Sequence, residues 1–179
     1  MPNKQLTGVA GELFVAYKLI KEGWFVVNAN CAIRNMPNFD LIALKNKYRV
    51  TIQVKASNTG DFPLGQYQPN KKKFVNTKSD PLADVVAFVK LFPEGKHEHD
   101  RLLFVSANKV NKIAKKYGDA YLAEKRESHA KIEFPLSIPL WKKSRKPQAI
   151  EAKSDLLAVG RENLEELLLG KGNRARPRP

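Results

Sequence analysis

NFDLIALKNKYRVTIQVKAS, residues 38–57, is the stretch on which the fold turns. It holds two strand-like runs, Phe39 to Leu44 and Val50 to Lys55, separated by Lys45-Asn46-Lys47-Tyr48. If Asn46 and Lys47 form a two-residue turn, Lys45 pairs with Tyr48. Counting back, Asp40 then stands opposite Gln53. Side chains alternate across a strand, so Gln53 and Lys55 share one face while Val50, Ile52 and Val54 take the other. Opposed residues of an antiparallel pair project to the same side, which would bring Asp40, Gln53 and Lys55 onto one patch.

Such a patch has a defined chemistry. Asp40 offers an anionic oxygen, Gln53 a neutral one, and the backbone carbonyl of Val54 lies between them. Oxygen ligands of this kind suit Mg²⁺. Lys55 cannot ligate a cation, but its amine can orient a metal-bound water or stabilise charge on a phosphate oxygen. Glu12 offers a fourth oxygen donor from the preceding helix, where Gly8 and Gly11 leave room for close backbone approach.

Outward from the hairpin, QLTGVAGELFVAYKLIKEG reads as an amphipathic helix with Leu6, Val9, Leu13, Ala16 and Ile20 as its apolar stripe and Gly23 as its stop. A strand is expected from Trp24 to about Ala29, then a loop over NCAIRNMPN. Residues 58–81, rich in Gly, Pro, Asn and Lys, read as mostly irregular, with a helical turn around Lys71 to Asn76. Apolar strands follow at Asp84 to Phe92 and Arg101 to Ala107. Asn108 is the expected cap of a helix burying Val110, Ile113, Ala114 and Tyr117. KIEFPLSI reads as an edge strand, because Pro135 cannot serve a central ladder. WKKSRKP is a basic linker, and SDLLAVGRENLEELLLG a single helix using Leu157, Leu164, Leu167 and Leu168 and ending at Gly170. The order of elements predicts an α/β fold with a central mixed sheet flanked by helices.

The 179 residues carry 32 Lys and Arg against 18 Asp and Glu, a formal charge of +14. That excess favours a polyanionic partner, since basic side chains neutralise phosphates and release counterions. One cysteine, Cys31, excludes an internal disulfide, and no Cys/His spacing suggests zinc. His97 and His99 sit among Pro, Gly and charges and read as a solvated loop. No run is long and apolar enough for a membrane span and no leader is evident, so an intracellular, cytoplasmic or nucleoid-associated protein is expected.

Glu12, then Asp40, then Gln53-Val54-Lys55 resembles the PD-(D/E)XK nuclease superfamily in its QxK form. The likeness covers about the first two-thirds of the chain by order of elements. GVAGELFVAYKLIKEGWFVV resembles the first helix and strand of archaeal Holliday junction resolvases and Mrr-type enzymes, and homing endonucleases of this fold include similar QxK variants. The resemblance implies a restriction-endonuclease-like αβββαβ core and Mg²⁺-dependent hydrolysis of DNA phosphodiesters, with Mn²⁺ able to substitute. It implies Asp40 as principal metal ligand, with Gln53, the Val54 carbonyl and Glu12 (directly or through water) completing the set, and Lys55 acting on the attacking water. Two departures stand out: Gln53 replaces the second acid, removing a negative charge, and Pro37 lies three residues before Asp40 rather than one.

Expected DNA contacts are Arg34, Ser57, Gln68, Lys71, Lys72 and Lys73. The nuclease core is expected over residues 1–127. A C-terminal extension over 128–170 would pack on the core or dimerise it, and a disordered basic tail would occupy 171–179. Partners are DNA and a second copy of the chain, as a homodimer or higher homo-oligomer. A noncatalytic DNA-binding module keeping this fold is the alternative that Gln53 sustains, and nothing in the sequence excludes an RNA-processing nuclease.

Overall fold

The computed structural model describes residues 4–32, 39–68, 73–75, 83–92, 99–124, 135–141 and 147–169. In chain order the elements are α1 (Lys4–Lys21), β1 (Phe25–Asn28), α2 (Ala29–Ala32), β2 (Leu41–Lys45), β3 (Tyr48–Ser57), β4 (Asp61–Gln68), β5 (Lys73–Val75), β6 (Val85–Lys90), β7 (Arg101–Ser106), α3 (Ala107–Glu124), β8 (Pro135–Pro139), α4 (Pro147–Val159) and α5 (Leu164–Leu169). The sheet order is β1-β2-β3-β6-β7, antiparallel except for the β3–β6 pair. The fold is therefore mixed α/β, a five-stranded mixed sheet flanked by helices. No helix among the described residues is long and apolar enough to cross a membrane.

The hairpin turn forms as its residues require. Lys45 pairs with Tyr48, and Asn46 takes a positive φ of 53°, a conformation asparagine tolerates. β3 and β6 run parallel, so the chain must cross over between them, and β4 and β5 lie on that crossover and join β8 in a second sheet of order β5-β4-β8. Residues 58–81 were expected to be irregular with a helical turn at Lys71 to Asn76. Instead Asp61–Gln68 and Lys73–Val75 are strands. The Pro and Gly that suggested a loop sit at an irregularity, where the β4–β8 register shifts between Pro63 and Gly65. β8 lies at the edge of this sheet, as a strand opening on Pro135 must.

Two cores cover the faces of the main sheet. On one face Val15, Leu19 and Trp24 pack with Leu41, Ala43, Val50, Ile52 and Phe104, joined by Leu164, Leu167 and Leu168 of α5. On the other, Val86, Phe88 and Val105 pack with Phe62, with Val110, Ala114 and Tyr117 of α3, and with Ala152 and Leu156 of α4. The C-terminal elements thus contribute to both cores. The helix expected over residues 154–170 is in fact two. At Gly160 a side chain would collide with Leu103, and Arg161 forms an isolated antiparallel bridge with Phe104. That bridge takes the backbone out of the helix. β1 is shorter than expected, and α3 starts at Ala107 rather than being capped by Asn108.

The largest correction concerns α1. Its buried residues are Gly11, Val15 and Leu19, whereas Leu6, Val9, Leu13 and Ile20 of the expected stripe are exposed and Ala16 is only partly covered. The helix is apolar on two sides, and periodicity cannot choose between two apolar stripes. Backbone approach chooses instead: a Cβ at Gly11 would collide with the Cβ of Ala56 on β3. Gly11→Ala should therefore lower stability by about 1–3 kcal/mol in chemical denaturation. Gly8→Ala, where no atom lies within 4 Å, should not lower it.

α3 and α4 are tied by the Tyr117 hydroxyl, which donates to Asp155 at 2.8 Å, with Lys116 Nζ donating to the same oxygen at 3.2 Å. These hydrogen bonds hold the Asp155 carboxyl below its usual range. A depressed carboxylate stabilises the fold above its unfolded pKa, and the benefit is lost as pH falls through the folded value. The wild type should accordingly melt above Asp155→Asn at pH 7, with a gap that vanishes in acid. Partial exposure keeps that gap small.

Candidate active site at the end of β2 and β3

The β2–β3 ladder ends with an irregularity. Leu41 is paired with Ile52, yet the Asp40 N–H also donates to the Ile52 carbonyl, at 2.8 Å. Two residues of one strand thus oppose one of the other, in the manner of a β-bulge, which re-aims a side chain. The expected pairing of Asp40 with Gln53 is corrected accordingly. The Asp40 carboxylate instead turns along the strand end, where Oδ2 accepts the Val54 N–H at 2.7 Å. Its backbone carbonyl accepts the Ala29 N–H at 2.9 Å, which docks the start of α2 beside it.

The other acid comes from α1. With Gly11 against Ala56, Glu12 lies over the same strand end. Its two oxygens are held by two asparagines: Asn28 Nδ2 donates to Oε2 at 3.2 Å, and Asn30 Nδ2 donates to Oε1 at 3.2 Å. The Asn30 amide also donates to Asp40 Oδ1 at 3.3 Å. One amide nitrogen therefore bridges the carboxylates of Glu12 and Asp40. The orientation of Asn28 is set independently, because its Oδ1 accepts the Asn30 backbone N–H at 2.9 Å, an Asx turn that opens α2. Its other end must then be the donor toward Glu12. All four residues are half-buried.

Asn28 and Asn30 were missed in the sequence. The signal was the alternation in Asn28-Ala29-Asn30 at the end of β1, where the sequence reads Asn28 as the tail of a strand and Asn30 as the start of a loop.

Gln53 and Lys55 are half-buried on β3. Val54 and Ala56 approach α1 at Gly11, so alternation puts Gln53 and Lys55 on the opposite face of the strand. They flank the Val54 amide that Asp40 takes. A strand residue's carbonyl points to the same side as its N–H, so the Val54 carbonyl is aimed toward Asp40, beyond the last β2–β3 pair. The described contacts thus join Glu12, Asp40 and Val54. Gln53 and Lys55 stand at the two positions that flank Val54 on β3.

Of the expected DNA contacts, Ser57 is buried, and its hydroxyl accepts the Gly60 N–H at 3.0 Å and bonds the Thr59 hydroxyl at 3.2 Å. It closes the β3–β4 turn and is left out of the DNA-facing set. Gln68 and Lys73 are paired in the β4–β5 hairpin. Arg34, Lys71 and Lys72 lie outside the described residues.

The donors fit a hard divalent cation. Two carboxylates from separate elements converge on one N–H₂ group, a geometry that would also direct two anionic oxygens at a cation, and the Val54 carbonyl adds a neutral oxygen. Among the described residues no group of three or more His, Cys, Asp or Glu gathers, so any such site is carboxylate-poor and leans on amide and backbone oxygens.

No protein-family model matches the chain, and no curated protein matches it. Among solved structures, a bacterial homing endonuclease, I-Ssp6803I, is similar over 83% of this chain and 87% of its own, at 16% identity and a TM-score of 0.45. A likeness this distant assigns no activity.

The bridge makes a specific prediction. Asn30→Asp sets a third carboxylate beside two others, and repulsion among the like charges destabilises the folded state. In chelator at pH 7 this variant should be less stable than Asn30→Ala by about 1–2 kcal/mol. The gap should close in acid, where carboxyl groups carry no charge to repel one another. Thermal melts across that range give the measurement.

Proposed function

We propose that the chain is a metal-dependent endonuclease that hydrolyses DNA phosphodiesters. The observation that carries this reading is the convergence of Glu12 and Asp40 on one amide, at a strand end where the Val54 carbonyl points the same way. The charge of +14 supports a polyanionic substrate. The PD-(D/E)XK resemblance of Glu12, Asp40 and Gln53-Val54-Lys55 agrees with it.

Asp40, Glu12, the Val54 carbonyl and the Gln53 amide oxygen are the residues we assign to hold Mg²⁺, or Mn²⁺ in its place. When bound, the ion supplies Lewis acidity toward a phosphate oxygen and a water of lowered pKa. Asn28 and Asn30 orient the Glu12 carboxylate, and Asn30 would yield its bridging position to a cation. The Lys55 amine, one residue beyond Val54, hydrogen-bonds the attacking water or the phosphate oxygen on which charge builds. Lys71, Lys72 and Lys73, with Gln68 and Arg34, contact the backbone of the duplex. Holliday junction resolution, homing and restriction are the biologies this chemistry would serve. Gln53 in place of an acid favours one second reading, a DNA-binding module without cleavage.

Cleavage of labelled linear duplex, single strand and four-way junction, each with Mg²⁺, Mn²⁺ or chelator, tests the proposal. Metal-dependent cutting should fall by about 10²-fold or more in Asp40→Ala and Lys55→Ala, while DNA binding persists. Lys71→Ala with Lys72→Ala should weaken binding and flatten the log–log salt dependence by about 2 units. Cleavage that survives chelation would sink the metal-dependent reading. Tight binding without cutting on any substrate would favour the binding module.

A further inference from the structure

The outer face of α1 carries five large apolar side chains in the open. Leu6, Val9, Leu13, Tyr17 and Ile20 are each between 53% and 66% exposed. At about 100° per residue they fall within an arc of about 80°. Ala10 and Ala16 border that arc, and no charged residue lies inside it. In a chain of net charge +14 this uncharged stripe is unsuited to a polyanion. None of the segments outside the described residues contains more than two large apolar residues.

The spacing points to the occupant. Along the stripe the steps are 3, 4, 4 and 3 residues, a palindrome centred on Leu13. A two-fold axis beside Leu13 would set Leu13 against itself, Val9 against Tyr17 and Leu6 against Ile20. A closed homodimer requires such a self-complementary pattern. The area is also adequate. At roughly 100 Å² of exposed apolar surface per side chain, two copies would bury about 1,000 Å², the size a specific interface must reach.

We propose that α1 of one copy packs antiparallel against α1 of a second copy, with the two-fold axis at Leu13, so that the protein is a homodimer. Glu12 falls outside the arc, so the contact leaves it at the strand end. The dimer stands on exposure and spacing alone and does not depend on the nuclease reading.

Sedimentation equilibrium of the full chain, from about 1 to 100 μM, tests it. The wild type should reach twice 20.2 kDa. Leu13→Arg, which sets two like charges against each other on the axis, should halve the mass and leave the far-UV spectrum and melting point unchanged. Val9→Glu and Tyr17→Lys should each be monomeric alone, and the double variant should recover the dimer because the two sites face each other. A wild type that stays at 20.2 kDa, or a dimer that survives Leu13→Arg, overturns the proposal. Failure of the double variant to recover overturns the antiparallel register.

Discussion

α1 lies against β3 because residue 11 has no side chain. With Gly11 on Ala56, the helix is rotated so that Val15 and Leu19 enter the core and Glu12 sits over the end of β2. The same rotation turns the second apolar stripe outward. One close backbone contact thus fixes a buried face, a site carboxylate and an exposed surface. Any larger residue at position 11 would push the helix off the sheet and move all three together.

Asp40 is held as tightly from the other side. The bulge opposite Ile52 aims its carboxylate along the strand end, and the Val54 N–H anchors one oxygen there through a charge-assisted hydrogen bond. Two half-buried carboxylates facing one another are costly unless donors or a cation lie between them. The Asn30 amide supplies donors with only partial positive charge. A divalent cation would supply far more. The arrangement of Glu12, Asn30 and Asp40 is therefore folded around a position that favours positive charge, and this links the packing of α1 to the chemistry proposed for the strand end.

Much of this was legible in the residues. The turn at Asn46-Lys47 set the pairing of Lys45 with Tyr48, and the apolar runs gave β6 and β7, because local turn chemistry and strand patterning act within a few residues. Glu12 and Asp40 were picked out by residue type and spacing, and they do meet. What could not be read depended on distant contacts. The buried face of α1 was decided by Ala56, more than forty residues away. The helix break at Gly160 was decided by Leu103 and Phe104. β4 needed β5 and β8 as partners on its two sides to outweigh its Pro and Gly. The bulge at Asp40 turned on a single backbone hydrogen bond, which no side-chain pattern records. Asn28 reads as the end of a strand and Asn30 as a loop residue, and neither pattern signals a donor between acids.

The central claim is that Glu12, Asn30 and Asp40 surround a cation position. The most direct measurement is the side-chain amide spectrum of the ¹⁵N-labelled protein during titration with Mn²⁺. Paramagnetic broadening should appear first at the Asn30 and Asn28 side-chain N–H₂ pairs and the Val54 backbone N–H, and Mg²⁺ should compete it away. Broadening that begins elsewhere, or that leaves the Asn30 amide sharp at saturating Mn²⁺, would contradict the account.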